Sequence, residues 1–221
     1  MKRNHPINYH THSHFDKDLL LKTAFHEAGH AAAIHLNNQQ KNLPPVYFQI
    51  SLRNNSTPIL SNTHPIDPRD KHYIAQVIEG RLIQNLPFNI IESSMFYSNS
   101  EKDSIKSAFE ADIVNILAGP LAEAKYLALK SAQSFDLQNI EVNTLHQYGG
   151  SSDLENIQEY LDDFIADKSR HSENITRLLG EAIKFISTPI YWQAIERLAY
   201  FIANSTENEI SCETAISILD G

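Results

Sequence analysis

Apolar residues recur every three or four positions from Asp16 to about residue 36, at Leu19, Leu20, Ala24, Phe25, Ala28, Ala31, Ala32 and Ile34. That spacing predicts a helix, and the polar run Asn37-Asn38-Gln39-Gln40 ends it. The pattern then changes: Pro45 to Leu52 is short and rich in aromatic and β-branched residues, which predicts a strand. Residues 53–66 are polar and contain prolines, so a loop is expected. Helical spacing returns from Pro68 to about Leu86 through Ile74, Val77, Ile78 and Leu82, and residues 87–103 read as irregular. A long helical stretch follows from Ser104 to about Lys130, with Gly119-Pro120 inside it as an expected kink or boundary. Residues 132–150 form a connection ending in Gly149-Gly150, and helices are predicted at 153–168, 173–187, 189–204 and about 211–219. For the last, Ser211 is the expected N-cap and Glu213 suits the first turn. Thr214 stands where a capping box would need Glu or Gln. The expected fold is one mainly α domain over residues 16–221 with a short β-strand element. Residues 1–15, with His5, His10, His12 and His14 among polar neighbours, read as a flexible arm.

Composition narrows the function classes. The net charge of -9 repels phosphate backbones, so no nucleic-acid partner is expected. No G-x-x-x-x-G-K-[ST] string occurs, so an ATP motor of that type is excluded from this chain. No apolar run approaches the ~18 residues of a spanning helix, so no transmembrane segment is expected. No apolar region follows Met1-Lys2-Arg3, so no signal peptide is expected either. Cys212 is the single cysteine, which rules out an internal disulfide and fits a reducing, cytoplasmic setting.

The chemistry gathers in Thr23-Ala24-Phe25-His26-Glu27-Ala28-Gly29-His30-Ala31-Ala32. Two histidines four apart lie about 40° apart around a helix and one turn above each other, so both imidazoles can reach one ion. Zinc suits them because it takes neutral nitrogen ligands in a tetrahedron. Glu27 lies about 100° round the helix from His26, so its carboxylate flanks the metal without binding it. That is the place for a base acting on water whose pKa the metal lowers to about 7. The helix around this H-E-x-x-H string is lined with small residues, which lets another element pack close. Gly29 costs the helix about 1 kcal/mol and so asks for a packing reason.

The third ligand is less direct. A metzincin would need glycine and histidine three and six residues after His30, where Ala33 and Leu36 stand, so that class is excluded. A thermolysin-like glutamate would be Glu79 at the earliest. Asp153, after the turn Tyr148-Gly149-Gly150-Ser151-Ser152, lies at a helix start, where it can serve as a cap or reach a metal.

Taken together, these strings resemble the peptidase domain of the FtsH-type zinc metallopeptidases. Phe25 to Ala31 is similar to that family's HEAGH helix, and Pro45 to Leu52 to the strand after it. Ile116-Leu117-Ala118-Gly119-Pro120-Leu121-Ala122-Glu123-Ala124 resembles its GGRAAEE helix. Gly149-Gly150-Ser151-Ser152-Asp153-Leu154 resembles its G-A-x-x-D-[LF] element, and Tyr191 to Ala199 a late helix of related domains. The resemblance implies a zincin-like helical peptidase domain with Asp153 as the third zinc ligand. Glu123 is the rival ligand, or else a partner orienting a ligand histidine. The chain departs from the family in lacking the AAA+ ATPase, in Pro120-Leu121 for Arg-Ala, and in Ala124 for the second Glu. It also has a longer interval before Asp153, read as an insertion within 53–105.

The expected function is that of a zinc-dependent endopeptidase acting without ATP on peptides or unfolded protein, with Glu27 as catalytic base and strand 45–52 holding the substrate at a sheet edge. The second reading is a catalytically weak zinc-binding adaptor that keeps the fold for protein interaction. Intact Glu27 favours the enzyme, while the lost Arg-Ala and the extra insertion favour the adaptor. The oligomeric state stays open, a homo-oligomer included.

Overall fold

A computed structural model describes residues 10–52, 74–83, 97–132 and 140–221. Helix α1 (His10–Ala32) begins six residues ahead of the predicted Asp16. It runs on through a π-helical turn, Ala33–Asn37, and a last turn, Asn38–Gln40. Ala24, Phe25, Ala28, Ala31, Ala32 and Ala33 are buried, so the small-residue face seen in the sequence is the core face.

Helix α2 (Asn99–Lys130) packs along α1. Its start is fixed by a capping box: the Ser98 hydroxyl accepts from the Glu101 amide at 3.3 Å, and the Glu101 carboxylate accepts from the Ser98 amide at 2.7 Å. Residues 99–103, read as irregular, are therefore helical. The Ser-x-x-Glu signature was present and precedes the periodic run. Gly119-Pro120 is no boundary, because α2 continues through both. Pro120 leaves the helix one amide short, and burial of Gly119 and Pro120 among α2's core residues holds the turn in place. Gly29 explains the close approach of the two helices. A Cβ there would lie 2.5 Å from the Ala118 carbonyl oxygen and 2.7 Å from the Ala122 Cβ.

After a 3-10 segment, Val142–Tyr148, come α3 (Ser151–Phe164), α4 (His171–Ser187), α5 (Pro189–Asn204) and α6 (Cys212–Asp220). These are the four helices expected after residue 150, with α3 starting two residues early and stopping four short. Ser211 caps α6 by accepting from the Thr214 amide at 3.2 Å. Helix α5 packs on the face of α1 that carries Phe25, whose ring stacks on Tyr126 at 4.2 Å and near Trp192 at 5.6 Å.

A small antiparallel sheet lies beside this mainly helical body. β1 (Phe48–Leu52) is the expected strand, β2 is Ala75–Glu79 and β3 is Glu209–Ile210, in the order β2-β1-β3. The helix expected over 68–86 is thus corrected at 75–79, while residues 68–73 and 84–86 lie outside the described residues. Val77 and Ile78 suit either element, and the pairing of Phe48 to Leu52 with Glu79 to Ala75 decides for the strand. Glu79 and Gly80, with φ of 67° and 87°, then turn the chain out of the ladder. The predicted loop 53–66 and residues 1–9 of the arm also lie outside the described residues. No described helix is long and apolar enough to cross a membrane.

Candidate metal centre

Helix α1 delivers His26, Glu27 and His30 to one wall of a cleft of about 520 Å³. Asp153 comes from the first turn of α3, and β2 with the turn after it supplies the facing wall. His26, Glu27 and Asp153 are buried. The Nε2 atom of His26 lies 3.0 Å from Asp153 Oδ2, and that of His30 lies 3.4 Å from Asp153 Oδ1. Of the two open readings of Asp153, its carboxylate faces the histidines. The ligand atoms of His26, His30 and Asp153 all lie within 4.8 Å of one another.

The other ring nitrogens are held from behind. His30 Nδ1 lies 2.9 Å from the Asn115 carbonyl, and His26 Nδ1 lies 3.2 Å from the Tyr148 carbonyl and 3.3 Å from Glu123 Oε2. A carbonyl only accepts, so each ring carries its hydrogen on Nδ1. A neutral ring of that tautomer turns an Nε2 lone pair toward Asp153. Two lone pairs facing a carboxylate require positive charge between them, supplied by protons or by a metal ion. The donor set fits zinc: two imidazole nitrogens, one carboxylate, and an acceptor behind each ring. Glu123 stands on the Nδ1 side of His26, away from the point where the Nε2 atoms converge.

The electrostatics run the same way. Burial alone would lower the His26 ring, but the hydrogen bonds to Asp153 and Glu123 outweigh it and hold it well above the usual imidazole range. His30 is likewise raised by Asp153 against its own burial. Asp153 is held far below the usual carboxylate range: burial would raise it, and the two histidines overcome that. Glu27 is raised by burial, which the nearby histidines and one main-chain donor only partly offset.

Two glycines make room for the histidines. A Cβ on Gly119 would lie 2.2 Å from His30 Nε2. Gly149 has a φ of 72°, and a Cβ there would lie 2.9 Å from Glu123 Oε2 and 3.2 Å from His26 Nδ1.

Three contributors were invisible in the sequence. The Val77 amide donates to Glu27 Oε2 at 2.6 Å. The Asn115 and Tyr148 carbonyls orient the rings, and the Asn115 side chain lies 3.1 Å from those of both Asn37 and Asn38, buried in the two turns that follow α1. Main-chain donors and acceptors leave no residue-type signature. The one available signal was Pro120 and Gly119 inside a helix, which marked α2 as special without saying why. Glu79 lines the cleft but does not join the ligand group. Compared with protein-family models, curated proteins and solved structures, the chain matches none of them.

Proposed function

We propose that this chain is a zinc-dependent endopeptidase, related to the FtsH-type peptidase domains, that hydrolyses peptides or unfolded protein without ATP. The observation that carries this reading is the convergence of His26 Nε2, His30 Nε2 and the Asp153 carboxylate at one point, with the buried Glu27 carboxylate beside it. In this reading His26, His30 and Asp153 hold zinc, while Glu123 and the Asn115 carbonyl orient the two rings. When bound, zinc would supply Lewis acidity and an acidified water at neutral pH. Glu27 takes the proton of the attacking water and passes it to the leaving amine, and its burial raises its basicity for that task. The cleft walls hold the substrate and exclude solvent. Its extended backbone lies along β2. The expectation for strand 45–52 is corrected here, because among the described residues β1 is the central strand, flanked by β2 and β3, and the edge that faces the cleft is that of β2. Outside β2, the site draws on α1, α2 and the start of α3.

The test is cleavage of casein by the zinc-loaded chain without nucleotide. Wild type should cleave, and Glu27→Gln should keep its zinc and lose about 10²–10⁴-fold in rate, since the amide cannot take the proton. Equal rates in the two would remove Glu27 as the base. No cleavage of any unstructured substrate by fully loaded wild type would favour the adaptor reading.

A further inference from the structure

The outer edge of β2 is covered at one point by the residue assigned to catalysis. Val77 pairs with Ile50 across the ladder, yet its amide donates to Glu27. In an antiparallel ladder the N–H and C=O of one residue point the same way, and successive residues alternate. Val77 therefore turns both main-chain groups away from β1 and into the cleft that it lines. An extended peptide joining this edge needs that amide as a ladder donor. The same amide now satisfies a carboxylate that is only 8% exposed. Strand β2 cannot easily move to serve both. Its register with β1 fixes one side, and past the turn at Glu79 and Gly80 the amides of Leu82 and Ile83 donate to Asp112 at 2.9 and 3.0 Å.

Resting on the peptidase reading, we infer that Glu27 is a substrate-released latch on β2. In the free protein its carboxylate covers the Val77 amide, and an incoming extended peptide displaces it by offering a backbone carbonyl to that amide. The freed carboxylate is then a buried acceptor without a donor, a costly state. The attacking water relieves it by donating an O–H. Substrate seating and the full arming of the base thus become one event, and before substrate arrives water meets a base whose Oε2 is already engaged.

Stopped-flow anisotropy of a fluorescein-labelled casein peptide, read on the zinc-loaded chain before turnover, tests this. Glu27→Ala removes the competitor and should tighten the Kd about tenfold, the worth of one hydrogen bond to a charged group. Val77→Pro removes the amide at an outward edge position, where proline is tolerated. In that background Glu27→Ala should leave the Kd unchanged, so the cycle separates the latch from any general effect of the charge. Equal affinity of wild type and Glu27→Ala, or the same tightening with and without the Val77 amide, would overturn the latch. Absence of binding in every variant would overturn the peptide reading and the latch with it. Should Val77→Pro not fold, amide exchange decides: Val77 should exchange faster in free Glu27→Ala than in free wild type, and equal rates sink the proposal.

Discussion

Each histidine of the centre has its two nitrogens committed to different tasks. Nε2 faces Asp153, and Nδ1 is held by a carbonyl on α2 or on the turn before α3. Glu123 and Asp153 are therefore not equivalent carboxylates, although both touch His26. Asp153→Ala should weaken zinc binding more than Glu123→Ala, whose loss as an orienting partner should cost about 10–100-fold. Chelator competition measures both, and the reverse order would move the third ligand to Glu123. At this scale the sequence was most legible where the candidate site is built from side chains at fixed spacing. His26, Glu27 and His30 were readable from one helical turn. Asp153 was nameable only through a resemblance, because nothing local says which way a carboxylate at a helix start will turn. Val77, Asn115 and Tyr148 act through main-chain atoms and were not readable at all.

Among the elements, α1 and α2 meet through residues chosen for their small size. Gly29→Ala tests this, since alanine is the better helix former by about 1 kcal/mol. The added Cβ meets a backbone oxygen at 2.5 Å, so the helices must separate. Overpacking of this kind costs about 1–3 kcal/mol, and denaturant unfolding should show a net loss of stability. A stabilised variant would mean that the two helices are not pressed together at this point. The strand β2 was misread as helical because Ile74, Val77, Ile78 and Leu82 fit a helical period, and only the partner strand breaks the tie. Its exit is clamped by Asp112, which accepts from the Leu82 and Ile83 amides and from the Tyr160 hydroxyl. Burial pushes Asp112 up to about 6 against these donors. A carboxyl raised in the folded state contributes stability below its unfolded value of about 3.9 and loses it as pH rises through about 6. The stability of wild type minus that of Asp112→Asn should therefore fall by about 3 kcal/mol between pH 3 and pH 7. A flat difference would show that Asp112 titrates normally.

On the scale of the whole molecule, the mainly α architecture followed from periodicity, and the helices after residue 150 were placed to within a few residues. What periodicity could not convey was that the segment read as an insertion carries a wall of the site. β2 lies within 53–105, reaches Glu27 from across the cleft, and is attached to the helical body through β1 and Asp112. That contact is long-range, so no local pattern announces it. The histidine-rich start of the chain offers a competing account of any bound metal, which makes metal analysis the most direct check on the centre. After dialysis, the purified untagged chain should retain about one zinc per molecule, as expected for three protein ligands plus an open position. Replacing His5, His10, His12 and His14 together by alanine should leave that zinc in place, and His26→Ala or His30→Ala should remove it. Zinc that survives the loss of His26 and His30 but disappears with the four N-terminal histidines would contradict the account.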